Sequence, residues 1–128
     1  MELINGTYKI QGLNVLDICR EFGTPLYVYD TEKISKQIQN LKTAFSDSDL
    51  KIKYAAKALT NISILKHIQQ QGCGIDVVSL NEARLALKAG FKPDDIMFTP
   101  SCVDFDEIVA GVEMGIYINL DNLSVLEK

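Results

Sequence analysis

The sequence has few of the residues that build metal centres, disulfide frameworks or nucleic-acid surfaces. It contains one histidine and three widely spaced cysteines, Cys19, Cys73 and Cys102, with no CxxC pair. We therefore expect neither a zinc site nor a disulfide framework, and a reducing cytoplasm fits this cysteine usage best. The net charge is −4, and no basic stripe offsets it. This charge balance argues against a nucleic-acid partner.

Long apolar runs and phosphate-binding glycine motifs are also missing. The stretch MELINGTYKIQG at the N-terminus lacks the apolar core of a signal peptide, and no run approaches the length of a membrane span. The sequence therefore predicts neither a secreted protein nor a membrane protein. Neither GxGxxG nor GxxxxGK[ST] occurs, so no dinucleotide fingerprint or P-loop is predicted. What remains is 128 residues of globular composition, 47% hydrophobic and 23% charged.

The first 50 residues predict two helices with a short strand between them. In NVLDICREFG, Asn14 can cap a helix that ends at Gly23. The run PLYVYD, residues 25–30, is rich in β-forming side chains. Asp30 or Thr31 then begins a longer helix with apolar residues at intervals of four, three and four. These apolar residues are Ile34, Ile38, Leu41 and Phe45.

From Leu50 onward a single unit repeats: a strand, a turn, a capped helix and a glycine. The predicted strand centres are spaced by 23, 20 and 21 residues, at Tyr54, Val77, Met97 and Ile118. The helices are predicted to begin at Asn61, at Ser79 with Glu82, and at Asp104 with Glu107, and to end at Gly72, Gly90 and Gly115. Strands and helices that alternate in this way pair in parallel through right-handed crossovers. The short period predicts an α/β fold, the first half of a (β/α)8 barrel.

Half a barrel is a poor end point for a folded chain. Four strands would leave an inner face and two strand edges exposed. We therefore expect this chain to be the N-terminal piece of a longer enzyme. In that interpretation residues 31–128 form strands one to four of the barrel, and residues 1–30 precede it.

Lys57 is the first candidate for chemistry, because active sites of such barrels lie at the C-terminal ends of the strands. It ends the predicted strand IKYAAK, and alternation places it on the same face as Lys53 and Ala55. Partial desolvation favours the neutral amine, the form of lysine that attacks a carbonyl to make a Schiff base. Most lysines at strand ends simply extend into water. Position alone favours this second interpretation.

Asp76 lies in the middle of the second predicted strand, where an unpaired carboxylate would be costly. An inward-facing lysine could be its partner, but Lys53 or a backbone amide could serve equally well. Glu82 is better explained as a helix cap than as a site residue. Ser101 and Cys102 follow the third strand and lie near the predicted catalytic rim. A cysteine nucleophile would need an activating base, and the one histidine, His67, is predicted to be a solvated residue on the polar side of a helix.

Four stretches together resemble the N-terminal part of the diaminopimelate decarboxylase family, within the alanine-racemase-like class of pyridoxal-phosphate (PLP) enzymes. They are GTPLYVYD, YAAKALTN, GIDVVSLNEARLALKAGFKPDDIMF and GIYINLDNLSVLE, and the resemblance spans roughly residues 22–128. The resemblance implies a PLP-binding (β/α)8 barrel over residues 31–128. It also implies that residues 1–30, including the PLYVYD strand, contribute to a separate β-rich domain.

The resemblance further implies roles for two residues. Lys57 matches the lysine that holds PLP covalently, and Asp76 matches an acidic residue close to that lysine. The family more often has VKAN where this chain has AKAL, and a glycine- and asparagine-rich stretch in place of residues 99–105. The implied activity is decarboxylation of meso-2,6-diaminopimelate to L-lysine by a cytoplasmic homodimer. The phosphate loop, the ring partner and the substrate arginine of the family come after residue 128, so we expect this chain alone to be inactive.

Other functions stay open. Decarboxylases of ornithine, arginine or carboxynorspermidine share the barrel, and the residues that distinguish them lie downstream. A non-catalytic, decarboxylase-like binding protein would keep the fold without the cofactor. Retention of Lys57 favours an enzyme over such a protein.

Overall fold

The computed structural model describes residues 1–127, and the chain divides into two units, Met1–Gln37 and the residues from Ile38 onward. The strands are β1 Glu2–Ile4, β2 Thr7–Ile10, β3 Leu13–Asn14, β4 Lys53–Ala55, β5 Gly74–Val77, β6 Ile96–Phe98 and β7 Tyr117–Ile118. The helices are α1 Val15–Phe22, α2 Thr31–Ala44, α3 Ile62–Gln70, α4 Leu80–Ala89, α5 Phe105–Glu113 and α6 Leu123–Leu126, with short 3₁₀ helices at Ala56–Ala58 and Pro93–Asp95. None of the helices within residues 1–127 has the length and apolar character needed to span a bilayer.

The first unit begins with an antiparallel meander, β1-β2-β3, that the sequence analysis did not predict. Two-residue turns join the strands, the first at Asn5 and Gly6 and the second at Gln11 and Gly12. All four turn residues have positive φ, 50° and 75° in the first turn and 50° and 79° in the second. Two successive positive φ angles match the twist of a tight hairpin, and Asn-Gly is the dipeptide most suited to them. The sequence therefore did contain a usable indication of the first hairpin.

Helix α1 begins as predicted, because the Asn14 side chain accepts a hydrogen bond from the Leu16 N–H at 2.9 Å. The strand predicted for PLYVYD is wrong for the described residues. Residues 25–30 pair with no described strand, and Tyr27 is 87% exposed. β-forming side chains are not sufficient, since a strand needs a neighbour that takes up its backbone hydrogen bonds.

Asp30 caps helix α2 by accepting a hydrogen bond from the Lys33 N–H at 3.0 Å. The Gln11 amide donates to Asp30 at 2.9 Å and to Thr31 at 3.1 Å. The Gln11 hydrogen bond, followed by the Lys33 N–H, lowers the pKa of the Asp30 carboxyl. Of the four predicted apolar positions on this helix, Ile38 alone is buried.

The second unit contains a parallel sheet of four strands in the order β4-β5-β6-β7. Each strand pairs with the next along the chain, and a helix connects each pair. This sequential parallel arrangement confirms the predicted fold class, and all four predicted strand centres lie within the observed strands. The register aligns Ala55 with Asp76, Asp76 with Met97, and Met97 with Tyr117.

The two faces of this sheet differ in burial. The helix-covered face carries Ile75, Val77, Ile96 and Phe98, each with 0% exposure. Helix α5 approaches it closely at Gly111, where a Cβ would lie 3.1 Å from both the Phe98 and Ile118 side chains. The opposite face, which carries the aligned row from Ala55 to Tyr117, stays partly or largely accessible. Only one face of the sheet therefore belongs to the core.

Side-chain caps fix where the helices of this unit begin. The Asn61 side chain accepts from the N–H groups of residues 63 and 64, and the Ser79 hydroxyl accepts from the Glu82 N–H at 3.3 Å. The Glu82 carboxylate in turn accepts from the Val78 N–H at 2.8 Å, which confirms the predicted capping role. Asp104 precedes α5 as predicted, but its side chain makes no capping hydrogen bond. The predicted stop glycines follow their helices with positive φ, at Gly72, Gly90 and Gly115.

Candidate active site

Lys57 lies just beyond the carboxyl end of β4, within the 3₁₀ helix Ala56–Ala58. The prediction that strand alternation extends to Lys57 is wrong, because the strand ends at Ala55. Ala56 is packed into the core with 1% exposure, and the next residue in the turn, Lys57, faces solvent. The Leu59 N–H closes the turn on the Ala56 carbonyl at 3.0 Å. The turn therefore brings the amine to the surface at the end of the strand.

Within residues 1–127, Lys57 takes part in no ion pair. An exposed amine without a carboxylate partner keeps its mobility and its access to a reactant. The register places Lys57 two residues beyond Ala55, which is aligned with Asp76 on the neighbouring strand. Lys57 and Asp76 therefore lie toward the same, carboxyl end of two neighbouring strands.

Asp76 is half-buried on the accessible face of β5, and its partner is a residue that the sequence analysis did not consider. The Thr99 hydroxyl donates a hydrogen bond to Asp76 Oδ1 at 2.5 Å. In the part of the chain that the structure describes, none of the three predicted kinds of partner is used. Lys53 in particular lies at the other end of β4 and donates to the Asp95 carbonyl at 3.0 Å.

A second hydrogen bond extends this contact across one more strand. The Asn119 amide nitrogen, Nδ2, donates to Thr99 Oγ1 at 3.1 Å. Thr99 follows β6 and Asn119 follows β7, and their backbone N–H groups donate to the Val77 and Phe98 carbonyls, both at 2.8 Å. The three side chains form a polar row at the carboxyl edge, which we call the Asp76–Thr99–Asn119 row. Polar residues directly after consecutive strands were the available indication of it.

The other residues considered from sequence stay outside this row. Glu82 serves the α4 cap. Ser101 and Cys102 are exposed in the loop after β6, with Cys102 at φ 55°. His67 is half-buried on α3.

A recess lies at the opposite, amino-terminal edge of this sheet. It measures about 600 Å³ and is lined by Lys51, Lys53, Gly74, Asp94, Asp95 and Tyr117, among others. The Lys53 side chain is held there by the Asp95 carbonyl. In barrels of this kind the amino-terminal face serves stability, whereas reactions take place at the carboxyl edge. The recess is therefore not part of the candidate site.

A family model covers most of the chain. Residues 31–128 match the pyridoxal binding domain of pyridoxal-dependent decarboxylases. The matched segment contains Lys57 and the whole Asp76–Thr99–Asn119 row.

Individual relatives agree with this match. The chain is 39% identical over 123 residues to a diaminopimelate decarboxylase of Methanothermobacter thermautotrophicus, covering 94% of this chain and 29% of that protein. It is 38% identical over 126 residues to a diaminopimelate decarboxylase of Staphylococcus aureus, covering 96% of this chain and 30% of that protein. The chain thus spans about 30% of the length of the curated relatives that it matches.

A solved structure shows the same fold. The crystal structure of a diaminopimelate decarboxylase from M. jannaschii in complex with L-lysine superimposes with a TM-score of 0.91 at 32% sequence identity. The alignment covers 98% of this chain and 31% of that one.

Proposed function

Because the chain belongs to the family of pyridoxal-dependent decarboxylases, we propose that it forms the N-terminal part of an enzyme that converts meso-2,6-diaminopimelate to L-lysine and CO2. The relatives from M. thermautotrophicus and S. aureus are both diaminopimelate decarboxylases, and the M. jannaschii structure holds L-lysine, the product of that reaction. The observation that carries the proposal is Lys57. It is an exposed amine at the carboxyl edge of a parallel sheet, inside the family's pyridoxal binding domain.

The residues present fit PLP, because an aldehyde cofactor needs an accessible amine to hold it and Lys57 supplies one. PLP, when bound, supplies an electron sink for the carbanion left by loss of CO2. Lys57 would be the residue that holds the cofactor, through its side-chain amine. Its place in a short turn rather than inside the strand lets the side chain move without disturbing the sheet.

Asp76 acts on the same amine. A carboxylate near Lys57 would stabilise the ammonium form of the free lysine. The register supports this role, because Asp76 is aligned with Ala55, two residues before Lys57. One carboxylate oxygen, Oδ1, is already bound by Thr99, so Oδ2 is the atom proposed to face the ammonium.

The proposal extends to the domain plan and the assembly. Residues 1–30 contribute to a β-rich domain, and the antiparallel strands β1-β2-β3 support this. Residues 31–128 form the first half of the PLP-binding barrel. The whole enzyme is a cytoplasmic homodimer without a nucleic-acid partner, in keeping with the family resemblance and the net charge of −4. Residues 1–128 by themselves do not decarboxylate, since they cover about 30% of the relatives' length.

The test uses the full-length protein supplied with PLP. We expect L-lysine to form from meso-diaminopimelate, with little turnover of ornithine or arginine, and a visible absorbance band in the absence of substrate. Lys57→Ala should lose both the band and the activity. Lys53→Ala, which removes the lysine at the amino end of β4, is the matched control and should keep both.

Three results would contradict the proposal. Turnover of ornithine or arginine in preference to diaminopimelate would assign a related decarboxylase. A folded but colourless protein without turnover would assign the non-catalytic binding function. Full activity in Lys57→Ala would remove Lys57 from the site.

A further inference from the structure

We infer that Thr99 and Asn119 are positioning residues that hold Asp76 in place for its contact with the Lys57 amine. This inference rests on the proposed function. It assigns a purpose to two side chains that neither touch the cofactor-binding lysine nor belong to the core.

The hydrogen bonds of the Asp76–Thr99–Asn119 row can run in only one direction. An ionised carboxylate accepts and cannot donate, so the Thr99 hydroxyl must give its single proton to Asp76 at 2.5 Å. Thr99 Oγ1 can then only accept from Asn119, which the amide nitrogen satisfies at 3.1 Å. The amide turned the other way would present its oxygen to a hydroxyl without a proton to spare. Asn119 therefore fixes the orientation of the hydroxyl, and the hydroxyl fixes Asp76.

The strand order gives this row its functional meaning. β5, which carries Asp76, lies between β4 and β6. Thr99 follows β6 and holds Asp76 from that side, while Lys57 follows β4 on the other side. The row therefore binds Asp76 from the side away from the lysine.

The backbone makes Thr99 and Asn119 a firm support. Their N–H groups donate to the Val77 and Phe98 carbonyls, both at 2.8 Å, so the two residues continue the parallel ladder beyond the strands. Val77 and Phe98 are themselves fully buried. A support anchored to the core holds Asp76 more accurately than water could, and small errors of placement at a reacting group are costly in rate.

The decisive comparison is between Thr99→Val and Thr99→Ser in the full-length enzyme loaded with PLP. Valine keeps the shape of threonine and removes the hydroxyl, whereas serine keeps the hydroxyl. For Thr99→Val we expect unchanged cofactor content, a KM within about twofold of wild type, and a kcat lower by about 10- to 100-fold. Thr99→Ser should recover most of the kcat. Asn119→Leu should lower kcat in the same direction by a smaller factor, because it loosens the hydroxyl without removing it.

A second readout does not depend on turnover. The visible band of the loaded enzyme, titrated with pH in the absence of substrate, reports the charge around the Lys57 nitrogen. A well-placed Asp76 carboxylate favours the protonated nitrogen. We therefore expect the midpoint of this titration to move to lower pH in Thr99→Val and to return in Thr99→Ser. A residue that only supported the fold would lower the melting temperature of both variants and leave the midpoint unchanged.

The outcomes separate the inference from the function on which it rests. A wild-type protein with no visible band and no lysine formation overturns the proposed function and the inference together. A normal wild type whose Thr99→Val variant keeps its kcat and titration midpoint overturns the inference alone. Equal impairment of Thr99→Val and Thr99→Ser also overturns it, because the hydroxyl would then not be the group that matters.

Discussion

One lysine lies at the amino end of strand β4 and another lies just beyond its carboxyl end, and the surroundings of the two side chains differ. Lys53, at the amino end, is half-buried and donates to the Asp95 carbonyl at 3.0 Å. Lys57, beyond the carboxyl end, is exposed and takes part in no ion pair within residues 1–127. Under the proposed function, the lysine at the amino edge is structural and the lysine at the carboxyl edge is the one that reacts.

The surroundings of the two lysines differ in the same sense. At the amino edge, Gly74 leaves room for Lys53 to reach the Asp95 carbonyl, and a Cβ there would lie 2.5 Å from that oxygen. At the carboxyl edge the partner of Asp76 is a side chain rather than a backbone group, and the contacts there form the Asp76–Thr99–Asn119 row. Backbone contacts suit a fixed bond, whereas side-chain carboxylates and hydroxyls can respond to a change of charge.

Two cysteines also lie at opposite edges of the sheet, and the difference in their reactivity should be the largest effect of this contrast. Cys73 immediately precedes β5 at the amino edge and is 4% exposed, and this burial raises the pKa of its thiol against the opposing influence of Lys42. Cys102 follows β6 at the carboxyl edge and is exposed. Because the thiolate is the reactive form, iodoacetamide at pH 8 should modify Cys102 in the native protein and Cys73 only after unfolding. Peptide mass spectrometry checks this, and early labelling of Cys73 would contradict the burial described.

Gly74→Ala should destabilise the packing at the amino edge of the sheet. The added Cβ would meet the Asp95 carbonyl at 2.5 Å and the Lys53 Nζ at 3.2 Å. We expect a loss of about 1–3 kcal/mol in stability, typical of overpacking, which exceeds the gain of about 0.4–1 kcal/mol from a stiffer unfolded chain. The urea midpoint of the full-length protein measures it.

The double variant Lys53→Ala, Gly74→Ala is the matched control for this prediction. It removes the lysine but leaves the backbone oxygen in place. Most of the destabilisation should therefore remain. Full recovery in the double variant would show that the lysine side chain, and not the Asp95 carbonyl, limits the space at Gly74.

The smallest expected effect is on stability, where Lys53 should matter more than Lys57. Lys53→Met removes the bond to the Asp95 carbonyl and should cost about 0.5–1 kcal/mol, the lower part of the range for a hydrogen bond near solvent. Lys57→Met should change stability by less than about 0.5 kcal/mol, as is usual for an exposed position. Thermal unfolding of the two variants checks the order. A larger loss in Lys57→Met would show that Lys57 has a structural partner.

The sequence predicted the sheet unit well because its indications are local. Apolar strands at a regular interval, the caps Asn61 and Ser79, and glycines that require positive φ are each determined by a few neighbouring residues. PLYVYD failed because a strand depends on a partner elsewhere in space. The hairpin at Asn5 and Gly6 was missed although its Asn-Gly turn was visible.

The candidate site was predictable only in part, for the same reason. Lys57 and Asp76 were candidates from their positions along the strands, and the family resemblance then favoured them. Thr99 could not be identified as the partner of Asp76, because their contact depends on the register between β5 and β6. The turn at Lys57 also depends on tertiary structure, since it follows from the burial of Ala56. Sequence spacing can place a residue at an edge but cannot tell which neighbour it meets there.

The central claim is that the lysine beyond the carboxyl end of β4 holds the cofactor and that the lysine at its amino end is structural. Chemical trapping of the cofactor tests this claim. Borohydride reduction of the full-length protein loaded with PLP, followed by proteolysis and mass spectrometry, identifies the lysine that held the cofactor. We predict a single pyridoxyl-modified peptide containing Lys57, with Lys53 unmodified. A modification on Lys53, on another lysine of the protein, or on no lysine at all would contradict the account.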